Sequence, residues 1–160
     1  MKVYEGSILN ASRYRYAIVV SRWNDFITER LKEGALLAFK KYGIPEENYD
    51  IFYVSGSFEL GATAKKIAQT QNYDGILCLG CVIRGATDHY EYVAGQAASQ
   101  ISRATMDTNI PIIFGVLTTD TIEQAIERAG TKAGNKGFEG AIALIEMCDL
   151  YNQIEGMNKT

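Results

Sequence analysis

The run Ile83-Arg84-Gly85-Ala86-Thr87 follows an apolar stretch with strand character and precedes a segment of helical composition. Free backbone amides at a helix start, the helix dipole and a threonine hydroxyl would converge there on one point, which is how a chain holds an anion. Glycine at position 85 lets the backbone turn and come close to a ligand. The same pattern also serves an ordinary strand-to-helix turn capped by Thr87 or Asp88, and the local residues do not choose between the two. Neither G-x-G-x-x-G nor a lysine-bearing P-loop is present, so a dinucleotide or nucleoside triphosphate is not indicated. His89, the only histidine of the chain, falls just beyond, in the first turn of the expected helix. An imidazole changes charge near neutral pH and can pass protons to whatever the anion belongs to. A lone histidine is more often a surface or capping residue, and its place beside the loop is what favours the chemical role.

Two other segments end strands in the same way: Trp23-Asn24-Asp25 and Ser55-Gly56-Ser57-Phe58-Glu59. The carboxyl ends of strands gather ligands in layered α/β proteins. An isolated tryptophan is more often core, but at such a rim an indole can stack on a flat heterocycle. The three strand ends together describe a pocket for an aromatic ring beside a phosphate. Cys78-Leu79-Gly80-Cys81 has the spacing of metal and redox sites. Side chains three apart on a strand face opposite ways, however, so these two sulfurs cannot share a metal and a structural role is expected.

The elements that would position these residues alternate strand and helix, the pattern of an α/β domain with a mainly parallel sheet. Strands are expected at Ala17 to Val20, Tyr49 to Val54, Gly75 to Val82 and Ile112 to Leu117. Helices are expected from about Phe26 to Tyr42, capped by Asn24 or Asp25, and from Phe58 to about Gln71. A long third helix follows Thr87 and includes Ala94 to Ala104; a short one runs from Thr121 to Ala129, capped by Thr121 or Asp120; the last covers Phe138 to Tyr151. Gly130-Thr131-Lys132-Ala133-Gly134-Asn135-Lys136-Gly137 reads as a glycine-rich basic turn. Val3-Tyr4-Glu5-Gly6 looks extended, and must pair with its own sheet or with a neighbour's edge.

A chain of 160 residues suits one domain spanning 1–160. A hydrophobic share of 47% and a charged share of 22% exclude a disordered or fibrous chain. The net charge of -3 supplies no basic excess for nucleic acid or an anionic membrane surface. No apolar run reaches the length of a signal peptide or membrane span, and three cysteines form an odd set, so a reducing, cytoplasmic location is expected.

Trp23-Asn24, Gly56-Ser57-Phe58-Glu59, the run from Gly80 to His89 and the turn from Gly130 to Gly137 match, in this order, motifs of the lumazine synthases, so that the chain resembles that family over nearly its whole length. The resemblance implies a three-layer α/β/α sandwich of flavodoxin-like type with a four-stranded sheet, its N-terminal strand added to a neighbouring subunit. The implied reaction condenses 5-amino-6-ribitylaminouracil with 3,4-dihydroxy-2-butanone 4-phosphate to 6,7-dimethyl-8-ribityllumazine, releasing phosphate and water, in riboflavin biosynthesis. No metal or other cofactor is implied.

By the same resemblance Trp23 stacks on the pyrimidine, with Asn24 and Cys81 beside it. Ser57, Phe58 and Glu59 hold the ribityl chain and ring, and Val82 with Ile83 offers backbone groups to the uracil edge. His89 moves protons, and Gly85, Ala86, Thr87 and Arg128 hold the phosphate. Phe114, Arg128 and Lys136 would come from a neighbouring subunit of a pentamer, and the uninterrupted turn between the last two helices fits pentamers closing into an icosahedral shell. Riboflavin synthase is the protein partner implied. Trp23 stands where phenylalanine is common, so riboflavin itself is expected to bind there. The rival readings are a silent shell or flavin-binding protein on this fold and the related archaeal type of riboflavin synthase.

Overall fold

A computed structural model describes residues 1–85, 89–130 and 134–157. Four strands, β1 (Tyr16–Ser21), β2 (Tyr49–Val54), β3 (Gly75–Ile83) and β4 (Ile112–Thr119), form one parallel sheet in the order β2-β1-β3-β4. Every residue of β1 is buried, which is why that strand reads as an unbroken apolar run and not as an alternation. Helices α1 (Asp25–Lys41) and α5 (Lys136–Glu155) cover one face, and α2 (Leu60–Ala68) and α3 (Tyr90–Thr108) the other. The short α4 (Ile122–Arg128) links β4 to α5. The α/β domain with a parallel sheet expected from the alternation is therefore present, in the three-layer α/β/α form that the resemblance implies. No described helix is long and apolar enough to cross a membrane.

Each face carries its own core. Ile27, Leu31, Ala35, Ala38 and Phe39 of α1 meet Leu144, Ile145 and Cys148 of α5 over Tyr16, Ile18, Leu77 and Leu79. Leu60, Ala64 and Ile67 of α2 meet Ile101 and Ala104 of α3 over Ala17, Val19, Ile76 and Cys78. Each large side chain buried there contributes roughly 1.5–3 kcal/mol by removal of apolar area from water. Cys78 and Cys81 fall into opposite cores, as the strand period requires. Burial pushes both thiols up to about 12, so neither is a thiolate near neutral pH.

Helix boundaries differ from the sequence expectations where side chains take other work. The helix expected from Phe58 to Gln71 is split: Ser57–Glu59 is a 3₁₀ turn, α2 begins at Leu60, and Gln71 turns left-handed with φ 62° beyond its end. Helix α3 runs past Ala104 to Thr108, and Asn109 ends it in a left-handed conformation, φ 60°, before Pro111 is reached. Helix α5 starts earlier than Phe138, because Asn135 Oδ1 accepts hydrogen bonds from the amides of Gly137 (2.8 Å) and Phe138 (3.0 Å). The Asn135 amide also donates to the carbonyls of Arg30 (3.0 Å) and Ala129 (3.1 Å), tying α1, α4 and α5 together. The cap expected at Thr121 is a full capping box with Gln124.

Among the described residues, Val3 to Gly6 pairs with no strand. The segment lies along α5 instead: Gln153 donates to the Glu5 carbonyl (2.8 Å), and the Ser7 amide donates to Asp149 Oδ2 (2.9 Å). Asp149 is 4% exposed and also accepts from the Tyr14 hydroxyl (2.9 Å) and Gln153 (2.8 Å). Burial opposes its charge, but the donors from Ser7, Gln153, Tyr14 and Asn10 outweigh that and hold its carboxyl below the usual aspartate range. Burial, with the hydrogen bond and charge of Asp149, pushes the Tyr14 phenol up to about 12.

Candidate active site

From β1 the chain crosses to β2 on one side, and from β3 to β4 on the other, so the crevice between the carboxyl ends of β1 and β3 is a topological switch point. Loops leaving neighbouring strands in opposite directions open a gap there without cutting the sheet. A cleft of about 380 Å³ lies at this position, lined by residues that include Trp23, Phe58, Glu59, Val82 and His89.

The three strand-end loops are fastened to one another by hydrogen bonds that prolong the ladders. The amides of Arg22 and Trp23 donate to the carbonyls of Val54 (2.8 Å) and Ser55 (2.9 Å), and the Arg84 amide donates to the Thr119 carbonyl (2.9 Å). Asn24 crosses the switch point itself: its side-chain amide donates to the Cys81 carbonyl at 3.0 Å. Asn24 does occupy the cap position of α1, as expected, but with φ 64° and no side-chain cap bond. The first turn closes on its carbonyl, which accepts from the amides of Ile27 and Thr28 at 3.0 Å each. The side chain expected to cap α1 is thus spent on holding β1 to β3.

On this frame the aromatic groups stand free. Trp23 is 74% exposed and Phe58 47%, an amount of open ring surface that a core role does not explain and a stacking role does. Glu59 is folded back by Ser55, whose hydroxyl donates to Oε1 at 2.9 Å. His89 is exposed and sits at the cap position of α3, one residue before the first turn, where its carbonyl accepts from the Val93 amide (3.0 Å). Gly85 has φ 55°, the left-handed backbone for which glycine is favoured. Ala86 and Thr87 lie outside the described residues, as do Asp88 and Thr131 to Ala133 of the basic turn.

Of the sequence-derived candidates, Trp23, Asn24, Ser57, Phe58, Glu59, Cys81, Val82, Ile83 and His89 share the cleft. Phe114, Arg128 and Lys136 do not line it. Phe114 projects partly exposed from the edge strand β4, five residues before its end and thus roughly 16 Å along it. Arg128 closes α4 and Lys136 opens α5. Tyr90 and Val93 line the cleft without having been singled out in the sequence; Val93 stands one helical turn beyond His89, a spacing that could have identified it. Arg84 does not line the cleft: Nε donates to Asp120 Oδ1 (2.9 Å), Nη2 pairs with Glu91 (3.2 Å), and the guanidinium lies 4.6 Å from the Tyr90 ring centre. The donor to Asp120 and the charges of Asp120 and Glu91 raise its affinity for the proton, and the contacts join β3, β4 and the start of α3.

Chemically, the cleft offers flat apolar surfaces, a carboxylate, backbone groups at a strand end and an imidazole, a set suited to binding a polar heterocycle and moving its protons. Residues 13–152 match the family model of 6,7-dimethyl-8-ribityllumazine synthase. A 6,7-dimethyl-8-ribityllumazine synthase of Clostridium kluyveri (strain ATCC 8527 / DSM 555 / NBRC 12016 / NCIMB 10680 / K1) is 50% identical over 155 residues, covering 97% of this chain and 100% of that protein. With matches of this extent, and with the motif residues of three strand ends gathered in one cleft, the chain belongs to the 6,7-dimethyl-8-ribityllumazine synthase family.

Proposed function

We propose that residues 1–160 act as one lumazine synthase domain that condenses 5-amino-6-ribitylaminouracil with 3,4-dihydroxy-2-butanone 4-phosphate in the cleft between β1 and β3. The observation that carries this reading is the meeting of Trp23, Phe58, Glu59 and His89 in one cleft at the switch point. Trp23 stacks on the pyrimidine beside Asn24 and Cys81. Ser57, Phe58 and Glu59 hold the ribityl chain and ring, and backbone groups of Val82 and Ile83 meet the uracil edge. Gly85, Ala86 and Thr87 receive the phosphate, with a planar guanidinium from Arg128 suited to pair with it.

The 5-amino group of the uracil attacks the ketone and water leaves to give an imine. Elimination of phosphate then leaves the C3 hydroxyl as an enol, which tautomerises to a second carbonyl, and the ribitylamino nitrogen closes the ring on that carbonyl with loss of a second water. Each step moves protons, and His89 is the group placed to carry them. Holding two reactants in register supplies much of the acceleration, so orientation by the fastened loops outweighs any single proton carrier.

Phe114, Arg128 and Lys136 lie away from the cleft of their own chain, which supports a reading in which each completes a neighbour's site within a pentamer. Val3 to Gly6, without a ladder partner among the described residues, is then the strand added to a neighbour's sheet. Pentamers closing into a shell, a riboflavin synthase partner and a cytoplasmic location belong to the same reading. The test is incubation with both substrates while lumazine absorbance and fluorescence are followed, with light scattering for assembly size. Lumazine formed only by the assembled protein is the expected result; lumazine consumed, or left unformed by the intact assembly, overturns the proposal.

A further inference from the structure

Beneath the cleft floor lie two buried hydroxyls, one of them on Ser57, whose part in holding the ribityl chain falls to its backbone because the hydroxyl is sealed from solvent. The hydroxyls of Ser21, at the end of β1, and Ser57, opening the 3₁₀ turn, are both sealed from solvent and have no hydrogen-bond partner among the described residues. The two residues are 0% and 5% exposed. Both hydroxyls converge on Gly80 of β3: a β-carbon added there would lie 2.5 Å from Ser57 Oγ, 3.0 Å from Leu60 Cδ1 and 3.3 Å from Ser21 Oγ. The two oxygens are therefore within two hydrogen-bond lengths of each other, across a notch that exists because residue 80 has no side chain.

A buried hydroxyl left unpaired is costly, and these two, with no direct bond between them, are close enough for one water to join them. We propose that Ser21, Ser57 and Gly80 form a buried hydroxyl seat that fixes the Ser57–Glu59 turn on the sheet, making Gly80 and Ser21 positioning residues for the ribitylaminouracil. The mechanical link is short. Ser57 is followed directly by Phe58 and Glu59, and Leu60, which shares the notch, begins α2. An atom added at residue 80 pushes on the base of the wall that carries both substrate-facing side chains, and leaves the phosphate side of the cleft untouched. The seat rests on the proposed roles of Phe58 and Glu59.

Gly80→Ala, Ser21→Ala, Ser57→Ala, the double variant Gly80→Ala/Ser57→Ala and Glu59→Gln are assayed for lumazine formation with each substrate varied in turn, with melting temperature recorded. Gly80→Ala is expected to raise KM for the ribitylaminouracil at least ten-fold while KM for the butanone phosphate stays within two-fold. Ser57→Ala alone is expected to raise that KM three- to ten-fold, and the double variant to fall back from the Gly80→Ala value to that of Ser57→Ala, because the oxygen in closest conflict is gone. Ser21→Ala adds no atom to the notch, so it folds even if Gly80→Ala does not, and is expected to raise the same KM three- to ten-fold. An unchanged KM in Ser21→Ala, equal rises for both substrates, or a double variant no better than Gly80→Ala overturns the seat. Failure of Glu59→Gln to raise that KM refutes instead the assignment of the wall to the ribitylaminouracil; a rise there with Ser21→Ala and Gly80→Ala silent refutes the seat alone.

Discussion

Replacing Asn24 separates two properties that the structure combines in one residue. Its side-chain amide joins the carboxyl ends of β1 and β3 through the Cys81 carbonyl at 3.0 Å, and its backbone holds a left-handed conformation, φ 64°, at the start of α1. Asn24→Gly keeps the backbone accessible and removes only the bond, a loss of about 1 kcal/mol for a neutral pair. Asn24→Ala removes the bond and adds a β-carbon where a left-handed residue costs roughly 1–2 kcal/mol, so its total is about 2–3 kcal/mol. For a chain of this size each kcal/mol moves Tm by roughly 2–4 °C. The expected order in thermal unfolding, at matched protein concentration so that assembly does not confound it, is wild type, then Asn24→Gly, then Asn24→Ala. The two variants differ from each other at least as much as the glycine variant differs from wild type. Because the bond spans the cleft, both are also expected to raise KM for the ribitylaminouracil by a similar factor, the bond being absent from both. Equal melting temperatures for the two variants would refute the backbone argument, and a wild-type KM in both would refute the bridging one.

His89→Ala is expected to slow lumazine formation by roughly 10²-fold and to leave a rate well above the uncatalysed one, since orientation survives; a fall to background in stopped assays would give the imidazole the larger share. Riboflavin titrated into the protein is expected to quench Trp23, the only tryptophan, by stacking on its exposed indole, and unchanged emission at saturating flavin counts against that contact. Asp149→Asn is expected to lower stability near neutral pH by about 2 kcal/mol, the scale of hydrogen bonds to a charged acceptor. Since the folded carboxyl lies below its ordinary value, that contribution is present above the unfolded aspartate range near ~3.9 and is lost as pH falls through the lowered value; a gap between the two proteins that does not shrink as pH is taken progressively below that range would contradict it.

Hydrophobic pattern located all four strands to within two residues, because strands buried on both faces leave a continuous apolar signature that little else imitates. The strand-end motifs then placed most of the cleft, since parallel topology puts every carboxyl end on one side. What the residues did not reveal were side chains serving partners distant in sequence. Asn24 is a cap by type, yet it binds Cys81. Asn135 sits in a stretch that reads as a glycine-rich basic turn, yet it fastens three helices. Ser57 and Gly80 belong to motifs the sequence already shows, but their approach to each other exists only once α2 is laid on the sheet. The bonds of Asn24 to Cys81 and of Asn135 to Arg30, and the approach of Ser57 to Gly80, are contacts of long sequence separation made by a short polar or absent side chain, and periodicity carries no information about such pairs.

The division of labour within the cleft follows from the same geometry. Its rim is fixed by hydrogen bonds that continue the ladders past the last strand residues, from Arg22 to Val54, Trp23 to Ser55 and Arg84 to Thr119, and by the Asn24 bridge. None of these requires a particular substrate-facing side chain. The groups that would touch substrate, Trp23, Phe58 and His89, stand exposed on that frame and can be exchanged without undoing it. A condensation that depends on aligning two reactants is sensitive to where the frame holds them. It is less sensitive to the identity of any one exposed group, since stacking on an indole or a phenyl ring differs by only a fraction of the orientational term. On this fold, therefore, changes at Asn24, whose side-chain amide is spent on the Cys81 carbonyl, and at Gly80, which does not line the cleft, should weigh on the reaction as heavily as changes at residues that meet a ligand face to face.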